Sequence, residues 1–562
     1  MTQSSTTNYA PDLGLILDRL RGNLRAAGIP VTDEEIALMA ESGFLRPVQA
    51  FEKMSHGKPV DIVPEYLGAW GYALKAADKV DPREQRHDDH APHPAHDAAL
   101  PDWSQASVLE IARALETRSV SPVELTERAL ERIAECNPYL NAFQLVLAER
   151  ARAAARRAEA EIGRGEYRGP LHGVPVAVKD LLAMKDTVTT AGTKIHAERV
   201  TDFDSTAVAR LEAAGAIILG KTRMSEFAYS PGSNNDHFGA TRNPRNPEHD
   251  TGGSSSGSAA AVADGLVFAA LGTDTGGSIR IPASFCGIVG LKPTFGRLSL
   301  HGSTTLAWSL DHLGPMTRTV KDAGVLLAAL AGEDRLDPRT RHISEPDAAL
   351  RAWGRGAPRL EAGVKGLRVG VLREDGSGRP LASPEILEAW KAGLDALARA
   401  GAELVEVDVP QLQPLRVLSG ALLAIEAVAY HLPLLQTRLA DYGEFMRLRF
   451  LAGFAYAPTA FVRAQQLHLS ARREVNDLFE QVHLLSTPTM PTLAPSLGTP
   501  ARLSFTAPFN LLGWPAITLP VGEGGEKLPI GLQLVGKPWD EATLLRAAHV
   551  LEEELRQGSG IA

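Results

Sequence analysis

Two cysteines, Cys136 and Cys286, are all that 562 residues contain. That is too few for a disulfide framework or a four-thiolate zinc site. Positive charge is also scarce: 58 Lys and Arg against 67 Asp and Glu leave a formal charge of −9. The balance gives no electrostatic reason to expect nucleic acid or an anionic membrane as partner. No run of 18 uninterrupted apolar residues occurs, so no membrane span is expected. The opening MTQSSTTNYAPDL has no basic stretch leading into an apolar one, so no signal peptide is expected. With 44% hydrophobic residues, composition points to a globular cytoplasmic enzyme.

What is present divides the chain in three. Residues 1–76 read as a small helical domain. Leu13, Leu15, Ile16, Leu20 and Leu24 form a helical stripe. Thr32 with Glu35 three positions on has the form of a capping box, and Gly43 closes that helix. Residues 77–102 are polar, proline-bearing and poor in large apolar side chains, as a linker would be. His87, His90, His93 and His96 recur there every third position, but the prolines oppose the helix that would align them on a metal.

The third part, 103–562, is the catalytic candidate. Ser121-Pro122-Val123-Glu124 predicts a helix to about Cys136, and Ser205 caps another through Ala214. VPVAV at 174–178 and AIILG at 216–220 read as buried strands. LRVGVL, a helix opened by Ser383-Pro384, and AELVEVDV form a β-α-β pattern over 367–409. Alternating strands and helices indicate an α/β sheet covered on both faces. No internal repeat is detected.

Gly and Ser concentrate in two clusters between Asp250 and Pro293, separated by a helix-then-strand stretch. The plainest reading is a pair of tight turns. A phosphate loop is excluded because Ser258 stands where its lysine must be, although Gly252 and Gly257 have the spacing. A nucleophile elbow would centre on Ser255, with His301 and His312 downstream. It must leave a hydrophobic strand, and RNPRNPEHDT is not one. Asp274-Thr275-Gly276 matches half an aspartic-protease site, but no second copy occurs to share the proton.

Lys179 ends the VPVAV strand. A lysine there is ordinarily a surface charge. Buried, it would lose affinity for its proton and become a base able to activate a serine through a second hydroxyl.

GVPVAVKD (173–180), GGSSSGS (252–258) and GTDTGGSIRIPASFCGIVGLKPT (272–294) resemble the amidase signature family, as do SPGSNNDHFGATRNP, SLDHLGPMTRTVKDA, STPTMP and FNLLGWPAITLPVG. The likeness covers roughly 105–555, with 24 positions between Ser254 and Ser278 as in the family. It implies a large mixed β-sheet covered by helices, and cleavage of a small-molecule amide without metal or other cofactor. Esters, anilides and carbamates are possible alternatives to the amide. Ser278 would be the acyl-forming nucleophile. Ser254, held by a cis peptide from Gly253, would relay its proton to Lys179. The backbone N–H groups of Thr275, Gly276, Gly277 and Ser278 would form the oxyanion hole, with Asp274 and Arg280 bracing the loop.

Ser256 replaces a glycine usual in the family, which bears on loop geometry rather than on the triad. The resemblance also leaves room for the ammonia-supplying component of a tRNA-dependent amidotransferase, and a non-catalytic binding module is the rival from another class. The N-terminal extension is expected either to form a homodimer or to roof the pocket.

Overall fold

The computed structural model describes residues 11–56, 103–340, 352–353, 363–499, 501 and 505–558. The expected linker 77–102, with its four histidines, lies outside them, as does the second half of the 1–76 unit.

Three helices open the chain: α1 (Leu13–Ala26), α2 (Asp33–Glu41) and α3 (Arg46–Ser55). The Thr32–Glu35 capping box forms in full. Each helix is amphipathic, and Ile16, Leu20, Leu24, Ile36, Met39, Val48 and Phe51 are buried. Their partners come from the far end of the chain. Arg19 donates to the Ala455 carbonyl at 2.7 Å, and Asn23 donates to that of Phe454 at 2.7 Å. Arg447 pairs with Glu35 at 3.1 Å.

The body is one eleven-stranded mixed sheet. In chain order its strands are β1 (Phe143–Val146), β2 (Pro175–Lys179), β5 (Ile217–Thr222), β6 (Ala269–Asp274), β7 (Val289–Lys292), β8 (His312–Thr317), β9 (Arg368–Glu374), β10 (Glu403–Asp408), β11 (Leu484–Pro488), β12 (Ala516–Glu523) and β13 (Pro529–Gly536). The short β3 (Thr187–Val188) and β4 (Val200–Thr201) pair separately. The spatial order is β1-β5-β2-β6-β8-β7-β12-β13-β11-β9-β10. β5, β2 and β6 run parallel at one end, and β11, β9 and β10 at the other, with antiparallel strands between. Most central strands are buried along their whole length, consistent with helices on both faces.

The β-α-β unit at 367–409 forms as expected, with helix Pro384–Arg399 between parallel β9 and β10. One boundary moves. The helix from Pro122 passes Cys136 and Pro138 to Leu140, where Asn141 adopts φ 52° and its amide closes onto the Asn137 carbonyl.

One helix, Leu412–Arg438, runs with a following short turn to Asp441 and is long and apolar enough to cross a membrane by length and composition. The expectation from uninterrupted runs did not foresee it. Leu412, Leu415, Leu418, Leu422 and Leu435 on this helix are buried inside the protein.

Candidate active site

β2 and β6 are parallel neighbours, so Lys179 at the end of one lies beside Thr273 near the end of the other. The two glycine-serine turns leave this same edge. Helix Ser256–Ala263 starts after the first, helix Arg280–Cys286 after the second. The Ser255 amide donates to the Ser278 carbonyl at 3.2 Å and ties the turns together.

Lys179 has no solvent exposure. Its Nζ lies 2.6 Å from Ser254 Oγ, 2.9 Å from Ser255 Oγ and 2.9 Å from Thr273 Oγ1. All three neighbours are hydroxyls, and among the described residues no carboxylate pairs with it. Burial lowers its pKa to about 7, against a weaker upward pull from Asp274 and Asp311.

The hydroxyls are not equivalent. Ser255 Oγ donates to the Thr273 carbonyl at 3.1 Å, so toward Lys179 it can only accept. Neutral amine has two hydrogens and one lone pair. Donation to Ser255 and Thr273 leaves the lone pair for the closest hydroxyl, Ser254. Ser255, expected to stand apart from proton transfer, therefore fixes the lysine, and Thr273 was not foreseen at all. The Gly253–Ser254 peptide is cis, as the resemblance implied. A side chain on Gly253 would run into the Gly232 carbonyl, so this turn can only be built with glycine. Ser256 makes a hydrogen bond to Thr241 at 3.2 Å and begins its helix undistorted.

Ser278 keeps 8% exposure while Lys179 and Ser254 have none. The candidate nucleophile is thus the most accessible of the three, with the lysine and relay serine behind it.

Asp274 organises the loop between β6 and Ser278. Its carboxylate receives the amides of Gly277 at 2.7 Å and Ile279 at 3.1 Å, and it pairs with Arg280 Nη2 at 3.0 Å. Burial pushes its pKa upward, but the Arg280 guanidinium and further donors outweigh that and hold it well below the usual carboxylate range. Arg280 reaches on to Asn510 at 2.6 Å and Gln533 at 2.7 Å.

The oxyanion set needs one correction. The Gly277 N–H is already given to Asp274, so it braces the loop instead of facing a substrate oxygen. Gly277 holds φ +135°, with its Cα hydrogen against Thr506, and Thr506 in turn donates to the Gly276 carbonyl at 2.6 Å. Asp311, which accepts from the Thr275 hydroxyl at 2.6 Å, is a further support that the motifs did not single out. Neither rival centre forms: His312 is fully buried, with Nδ1 against the Leu310 carbonyl and the Asn510 amide.

Above the loop lies a cavity of about 1090 Å³. Gly276 and Ala507 border it from the sheet side, Val417 and Leu423 from the long helix, and Phe445 and Leu448 from helix Glu444–Ala452. Leu38, Phe44, Pro47 and Val48 of the α2–α3 region form the remaining wall.

One trio with ligand atoms within 4.8 Å of one another, His549, Glu552 and Glu553, occurs among the described residues. It sits on the C-terminal helix, and Glu552 is already engaged by the Val320 amide.

Comparison with known proteins agrees with this geometry. A family model described as Amidase matches residues 124–545. The GatA-type component of glutamyl-tRNA(Gln) amidotransferase from Anaeromyxobacter sp. (strain K) is 41% identical over 479 residues, covering 79% of this chain and 95% of that protein. Native peptide amidase from Stenotrophomonas maltophilia superposes with a TM-score of 0.69 at 31% identity, over 81% of this chain and 98% of its own. A chain from a vestigial protein complex, described as revealing the evolutionary origins of an s-triazine catabolic enzyme, gives 0.75 at 36% identity, over 81% and 99%. The α1–α3 helices precede the matched family span.

Proposed function

The chain belongs to the amidase signature family of amide-bond enzymes, and we propose that it hydrolyses a carboxamide through an acyl-Ser278 intermediate. Ser278 Oγ attacks the carbonyl carbon while its proton passes to Ser254, whose own proton moves to Lys179 Nζ. The carbonyl oxygen, now negative, meets the N–H groups of Thr275, Gly276 and Ser278. Return of the proton along the same path to the amine nitrogen lets the C–N bond break. Water then enters by the same route, cleaves the ester and releases the acid.

The observation that carries this reading is the Lys179 environment: complete burial, three hydroxyl neighbours and a pKa lowered to about 7. An amine so placed can be neutral at physiological pH, where a surface lysine cannot. The direct test is trapping. A fluorophosphonate probe should label wild type at the peptide carrying Ser278 and leave Ser278→Ala unlabelled; labelling that persists in the variant overturns the assignment.

A second reading, a component of a glutamyl-tRNA(Gln) amidotransferase, is favoured by the 41% identity to such a protein over nearly its whole length. The α2–α3 wall supports the stand-alone hydrolase instead, because it closes the cavity with residues outside the matched family span. It also favours the roofing role of the extension over a dimer contact. Purified chain without partners should release amine from an anilide; activity toward glutamine alone, and only with a partner added, would favour the amidotransferase.

A further inference from the structure

The wall of the cavity is mainly apolar, which makes its cations conspicuous. Arg46 borders it, with Asp236 and Glu444, but all three side chains are exposed and screened by water. Arg449 is different. It is half-buried on helix Glu444–Ala452, and no carboxylate among the described residues lies within ion-pair distance of it. Its guanidinium stacks over the Tyr229 ring, 4.4 Å from the centroid, and Nε is buried without a hydrogen-bond partner among the described residues.

Beside it stands a second orphan. Tyr456 is 5% exposed and borders the same cavity, and its hydroxyl also has no partner among the described residues. Buried polar groups in native proteins are nearly always paired, so two unpaired donors in one apolar wall need an acceptor from outside the chain. Both can only usefully donate: the guanidinium has no lone pair to offer, and burial pushes the phenol's pKa up, keeping its proton. A fork of N–H groups with an adjacent O–H matches a carboxylate.

Arg449 is also tied to the reacting end. Tyr229, beneath its guanidinium, precedes Ser230, whose carbonyl packs against Gly253, the residue before Ser254. Gly276 of the candidate oxyanion loop borders the same cavity as Arg449 and Tyr456.

We propose that the cavity takes amides whose far end carries a carboxylate, bound by the Arg449 guanidinium and the Tyr456 hydroxyl, with an apolar body between that end and the scissile bond. The proposal rests on the acyl-Ser278 reading for the position of the scissile bond.

The test uses the full chain carrying Ser278→Ala, so that binding is read without turnover. Monoanilides of succinic, adipic and suberic acid are titrated calorimetrically at pH 8 against the neutral anilides of butanoic, hexanoic and octanoic acid. At least one diacid monoanilide should bind about tenfold or more tightly than its neutral counterpart. Adding Arg449→Met should bring that ratio close to one, Tyr456→Phe should lower it severalfold, and Arg449→Lys should restore part of it. Equal or weaker binding of every anionic member, or a preference that survives Arg449→Met, overturns the proposal, as does a failure of the whole series to bind. Wild-type turnover is measured separately on the same compounds. If the preference depends on Arg449 yet wild type cleaves none of them, the anion site stands and the acyl-Ser278 reading falls.

Discussion

Lys179 and Lys221 occupy neighbouring parallel strands, with Lys221 opposite Val178 in register, and neither has any exposure. They nevertheless do different things. Lys221 pairs with the buried Asp180 carboxylate at 3.1 Å and donates to the Val188 carbonyl at 2.9 Å. Lys179, one residue before that same aspartate, meets only hydroxyls. Burial lowers both pKa values, but at Lys221 the aspartate pulls back, so charge is retained as half of an ion pair. What separates a structural cation from a candidate base is therefore the partner's charge, since depth is the same for both.

The comparison can be broken most severely at the end of the hydroxyl chain. Ser278→Ala should lower kcat on an anilide by about 10⁴-fold or more while the melting temperature stays within a few degrees, read by steady-state kinetics and calorimetry. Next come the two lysines as a pair. Lys179→Met should cost several orders of magnitude in kcat with little loss of stability, because it removes an amine that has no carboxylate to leave stranded. Lys221→Met should do the reverse. It leaves Asp180 buried without its cation, costing about 3–5 kcal/mol of folding stability, with a far smaller change in the kcat of the folded enzyme. Chemical denaturation alongside kinetics distinguishes the two, and equal kinetic defects would dissolve the contrast.

Acidity sharpens the same point by a smaller factor. Activity requires neutral Lys179, so kcat/KM should rise with pH as the ammonium loses its proton, with a midpoint near 7 and a plateau above. A profile still rising at pH 9 would mean a lysine like any on the surface. Ser255→Ala, which removes one acceptor that steadies the amine, should slow turnover by about tenfold, between the nucleophile variant and wild type. Smallest of all, EDTA should leave the rate unchanged, since every group assigned to proton transfer is a lysine or a hydroxyl; loss of activity rescued by zinc would contradict the assignment.

The linear pattern reveals the chemistry best where one continuous segment carries both its residues and their geometry. The Thr32–Glu35 box, the turn around Gly253, and the β-α-β unit at 367–409 are of that kind. The partners of Lys179 are not. Thr273 reaches it only because β6 lies beside β2, a pairing between strands some 90 positions apart. The Gly277 amide was misassigned for a related reason: a donor's direction depends on φ and on where Asp274 sits, and neither is written in a Gly-Gly pair. The cavity was legible only as an alternative role for the extension, because its walls join α2–α3 to helices beyond residue 412.

Those long-distance contacts have a consequence for how the molecule is made. Arg19 and its acceptor on Ala455 are separated by 436 positions. At a synthesis rate of about 5–20 residues per second, α1–α3 would wait on the order of 20–90 seconds for the surface they pack against. During that interval the stripe of Ile16, Leu20 and Leu24 has no partner to cover it. The first segment to leave the ribosome is thus among the last to find its place. Chaperone demand during translation should fall when this segment is supplied in trans or moved to the other end of the chain.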